Sequence, residues 1–145
     1  MSLKEKLNET RERYVEMKAK LDDSIETAKI SAMLTQDEIA EKTREAQGNA
    51  EAAKENLRRM GERSQSRLNS ELIKIQMSVD AARQAIADKK EAREQVKAEA
   101  RIADLIEYAD HCQALALELA LESKLAILEA TAEIAEYAEK YGTEA

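Results

Sequence analysis

The chain has 145 residues with no proline, phenylalanine or tryptophan and only three glycines, so the aromatic side chains and turn formers that sheet proteins draw on are missing. Alanine fills 26 positions and charged residues make up 37%, a composition of strong helix formers that predicts an all-α fold. A net charge of −7 argues against nucleic acid as a partner, since neutralising phosphates takes a surplus of lysine and arginine.

The first predicted helix opens on Ser2, which can cap it, and carries a seam of Leu3, Leu7, Thr10, Tyr14, Met17 and Leu21 at three- and four-residue steps. Four extra residues interrupt that seam before Ile25. Further along, Leu57, Leu68 and Val79 lie eleven apart, a period that favours straight bundles over a tightly wound coil. Residues 40–56 hold no large apolar side chain, and the stretch 44–52 reads as an exposed helix.

The strongest turn signal is Gly61, which follows Arg58 and Arg59 and precedes Ser64 and Ser66. A rival lies at Thr35, where Thr35 and Glu38 form a capping box with Leu34 and Ile39 placed as a staple. The spacing therefore predicts one helix over about 2–60, a turn at about 61–65 and a second helix over about 66–141. Folded as a long antiparallel hairpin, a coiled-coil-like bundle within a single domain, this arrangement brings Leu3 beside Glu122. The alternative is a three-helix bundle with an extra turn near Thr35 or Asp88. The likeness to coiled-coil proteins is one of period and composition only.

The last helix is the unusual one. Residues 101–145 carry the whole net charge, with 3 basic and 10 acidic side chains. At about 100° per residue, Glu118, Glu122, Glu129, Glu133 and Glu136 share a narrow acidic stripe, while most of the remaining circumference is apolar or alanine. One neighbouring helix covers a stripe a little over 100° wide, so this helix needs a second partner. Ile106, Leu117, Leu119, Leu121, Leu128 and Ile134 are the candidate self-association residues. Leu119, Tyr108 and Tyr137 fall almost opposite Leu117, Leu121 and Leu128. The expected assembly is a homodimer that completes a four-helix bundle with antiparallel pairing.

No enzyme is legible. His111 is the lone histidine, and a ferritin-like site needs two copies of Glu three residues before His, whereas position 108 is tyrosine. His111 and Cys112 are adjacent and point about 100° apart on a helix, which rules out a nucleophile–base pair. His111 is read as solvated, Cys112 as a small buried hydrophobe and the glutamates as a solvated face. No cofactor, metal site or small-molecule substrate is expected. Arg59, Arg63, Arg67 and Lys74, with Arg58 beside them, form a basic row that makes a lipid surface the second partner class, diluted by Glu55, Glu62 and Glu71. One cysteine and a charged N-terminal sequence fit a cytoplasmic setting. The expected function is that of a non-enzymatic scaffolding coiled-coil protein, with peripheral membrane binding as the alternative.

Overall fold

The computed structural model describes residues 2–63, 67–88 and 95–142. All regular structure among them is helical: α1 (Leu3–Ile30), a short 3-10 turn (Ser31–Met33), α2 (Gln36–Arg63), α3 (Arg67–Ala87) and α4 (Gln95–Tyr141). The all-α expectation holds, and the reason is local. Propensity, period and the absence of breakers agree along the chain.

The helix ends follow capping chemistry. Ser2 Oγ accepts from the Glu5 amide at 3.1 Å and closes the first turn of α1. The helix expected over 2–60 is instead broken at Leu34, whose backbone is extended (φ −83°, ψ 147°). Thr35 restarts it: its Oγ1 accepts from the Glu38 amide and its own amide donates to Glu38 Oε1, both at 3.2 Å. Two orphan donors are thus satisfied reciprocally, so the capping box, not Gly61, marks the first break. Gly61, Glu62 and Arg63 are the last residues of α2, and residues 64 and 65 of the expected turn fall outside the described ones. The second helix, expected over 66–141, is seen as α3 and α4, with α3 ending at Ala87; residues 89–94 lie outside the description. The only left-handed glycine among the described residues is Gly142 (φ 67°), which terminates α4 and donates its amide to the Ala138 carbonyl at 2.9 Å.

The chain divides into two compact units, Met1–Ile39 with Ala116–Ala145, and Ala40–Leu115. In the first, α1 runs antiparallel to α4. Arg11 Nη2 donates to Thr131 Oγ1 at 2.7 Å, and the Tyr14 hydroxyl donates to the Ala120 carbonyl at 3.2 Å. Glu122 therefore lies near the level of Tyr14 and not beside Leu3. Leu7 is the buried residue of this seam, and Ala120, Ser123, Ile127, Ala130 and Ile134 form the half-buried row of α4. Thr10 and Tyr14 continue the α1 side as half-buried residues.

In the second unit, α2 and α3 are antiparallel neighbours. Lys54 Nζ reaches Asp80 Oδ1 at 2.8 Å, and Asn69 Nδ2 donates to the Gly61 carbonyl at 2.8 Å. Arg83 of α3 stacks over the Tyr108 ring of α4, 5.9 Å from its centroid. Ile86 is the buried apolar residue here. Residues 40–53 of α2 are exposed throughout, as a stretch whose apolar side chains are all alanine implies. Leu7 and Ile86, 9% and 8% exposed, are the only buried apolar residues among the described ones, so most of the large side chains remain in contact with water.

Candidate self-association surface

The surface is built on the part of α4 in the first unit. Helical geometry puts Leu117, Leu121, Leu125 and Leu128, four and three residues apart, in one row. They are 61%, 49%, 47% and 57% exposed. Ala132 and Ala135 continue the row with small side chains. Full burial of one leucine contributes about 1.5–3 kcal/mol. With roughly half of each side chain still open, the four leave on the order of 3–6 kcal/mol of apolar burial unrealised, an upper figure because the unfolded chain also hides some surface.

The structure sorts the six expected residues. Leu117, Leu121 and Leu128 share the open row. Leu119 is also exposed, on the opposite side of the helix, with Tyr137. Ile106 is 60% exposed on the part of α4 in the second unit. Ile134 belongs to the half-buried row that faces α1 and is already covered. Tyr108, grouped with Leu119 and Tyr137 by helical angle, is half-buried and lies under Arg83. Burial, then the neighbouring Cys112 thiol, push its phenol above the usual range. Leu125 belongs to the surface too; its place in the 4–4–3 spacing from Leu117 was the available signal.

Charge borders the leucine row unevenly. Glu118, Glu129 and Glu136 line one edge, and none of them makes an ion pair among the described residues. Lys124 stands on the other edge, also without an ion-pair partner among the described residues. Arg11, anchored to Thr131, brings a second cation to that edge.

The remaining candidates are weaker. His111 is solvated, with Nε2 3.9 Å from Glu107 Oε1. Cys112 is half-buried in an open groove of about 360 Å³ between α3 and α4, walled by Ile75, Val79, Tyr108 and Leu115. Its surroundings suit a small apolar side chain. Among the described residues no three metal-ligating side chains gather. No described helix is long and apolar enough to cross a membrane. The described members of the basic row are compensated: Arg58 pairs with Glu55 and Glu62, Arg59 Nε lies 3.4 Å from Glu55, and Lys74 lies 3.3 Å from Glu71. Hydrogen bonding from Arg58 holds the Glu55 carboxyl down at about 2. Arg63 and Arg67 lie where side chains are not described. Set beside known proteins, the chain matches no protein family, no curated protein and no solved structure.

Proposed function

We propose that this chain is a non-enzymatic structural or scaffolding protein that pairs with a second copy of itself, in coiled-coil fashion, through the open leucine row of α4. The observation that carries this reading is the run Leu117, Leu121, Leu125 and Leu128, each about half exposed on a helix that α1 covers along a different row, Ala120 to Ile134. A contiguous apolar row bordered by charge is the usual mark of a protein interface. Dimerisation would recover the missing burial, and a gain of even 3 kcal/mol shifts an association constant by over a hundredfold, roughly. A second copy supplies an equal and complementary row with no further partner required.

The test is absolute mass in solution by light scattering over a range of concentrations. Twice the chain mass is expected, falling to one chain when Leu121→Glu and Leu128→Glu are combined. A wild-type chain that stays monomeric at high micromolar concentration refutes the reading. Co-sedimentation with anionic vesicles under those conditions would favour the lipid surface instead. The pairing of Arg58, Arg59 and Lys74 with nearby glutamates argues against it, because a compensated row offers little net attraction to anionic headgroups.

A further inference from the structure

The two edges of the leucine row are self-complementary in one orientation only. At about 100° per residue, the row running from Leu117 to Ala135 has its centre near Leu128. Lys124 and Thr131 lie roughly 50–75° to one side of that centre, and Glu118, Glu129 and Glu136 lie roughly 65–90° to the other. Arg11 Nη2, 2.7 Å from Thr131 Oγ1, adds its charge to the Lys124 side. One edge is therefore cationic and the other anionic.

Two helices related by a twofold axis parallel to their length set unlike edges side by side. A twofold axis perpendicular to their length sets each edge against its own copy. In the parallel case a residue on the first edge meets the partner residue five positions further on, as the flanking positions of parallel coiled coils do. Lys124 then faces the partner's Glu129, and Arg11 at Thr131 faces the partner's Glu136. Each contact occurs twice by symmetry. In the antiparallel case Lys124 and Arg11 crowd their own copies, and three glutamates on each chain crowd theirs.

Resting on the self-association reading above, we propose that α4 pairs in parallel with α4 of a second copy, with Lys124 and Arg11 on one edge facing Glu129 and Glu136 of the other. This orientation replaces the antiparallel four-helix arrangement that coverage alone suggested. An antiparallel dimer of that kind would also place Lys124, on the edge nearest α1, toward the middle of the four helices, where an unpaired ammonium is costly.

Disulfide trapping tests the orientation. In the full chain carrying Cys112→Ser, Leu121→Cys and Ala135→Cys are made separately. The two sites are fourteen residues apart, about 21 Å along a helix, and a disulfide closes only when Cα atoms come within about 7 Å. Parallel pairing brings each cysteine to its own counterpart, so mild oxidation should give covalent dimers at both positions. An antiparallel twofold allows at most one. Charge exchange supplies a second measurement. Lys124→Glu should weaken the dimer by on the order of tenfold, and adding Glu129→Lys should restore it. A dimer by mass that cross-links at neither or only one position, or a charge exchange without recovery, overturns the parallel arrangement and leaves self-association standing. A chain monomeric by mass removes self-association itself, and the orientation with it.

Discussion

Gly61 is where a local preference and a tertiary contact oppose each other, and the conflict can be measured. Because Gly61 is helical, in the last turn of α2, replacing it with alanine should gain up to about 1 kcal/mol, the helix-interior difference. The new Cβ, however, would come within 2.6 Å of Asn69 Oδ1, which is inside van der Waals contact. The Asn69 side chain must swing away, and its 2.8 Å bond to the Gly61 carbonyl goes with it. A hydrogen bond of this kind contributes about 0.5–1.5 kcal/mol net. The two terms nearly cancel, so Gly61→Ala alone should shift stability by less than about 0.5 kcal/mol. In an Asn69→Ala background the clash is gone, and Gly61→Ala should stabilise by up to about 1 kcal/mol. Urea unfolding of the four variants, followed by circular dichroism at one fixed protein concentration, gives the cycle. Gly61→Ala that destabilises by 1 kcal/mol or more in both backgrounds, roughly the cost of a Cβ in a left-handed cap, would refute the helical placement. Equal stabilisation in both backgrounds would refute the Asn69 contact.

Other outcomes follow from the same reasoning. Gly48→Ala meets nothing within 4 Å and should stabilise by about 1 kcal/mol, visible as a higher urea midpoint with unchanged slope. Thr35→Ala removes the cap that restarts the chain after Leu34 and should cost about 1 kcal/mol, whereas no change in midpoint would mean that the capping box is idle. The Glu55 carboxyl, held at about 2 by Arg58, contributes stability above the ordinary carboxylate range that is lost as pH falls from about 4.5 toward 2. Its carbon-13 titration should return to the ordinary range in Arg58→Ala, and a midpoint already near 4.5 in the wild type would disprove the pairing. Far-UV circular dichroism showing less than about half helix would contradict the all-α fold altogether.

What the amino-acid sequence determines alone is whatever short-range physics decides. Helix is one such property, because propensity and the lack of breakers act residue by residue. The Ser2 and Thr35 caps are another, since each closes on an amide three residues away. The exposed stretch over 40–53 is a third: alanine offers a neighbouring helix little to bury. Coverage could not be read this way. Ile134 and Leu128 have similar side chains on the same helix, yet α1 takes the row containing Ile134 and leaves Leu128 57% exposed. That outcome depends on where Arg11 and Tyr14 anchor against Thr131 and Ala120, contacts more than a hundred positions apart in the chain. Gly61 shows the same division. Locally it reads as a stop, but it stays helical while Asn69, eight residues on, bonds its carbonyl. Period and capping say which faces are apolar; only the placement of a second helix says which of them is left for a partner.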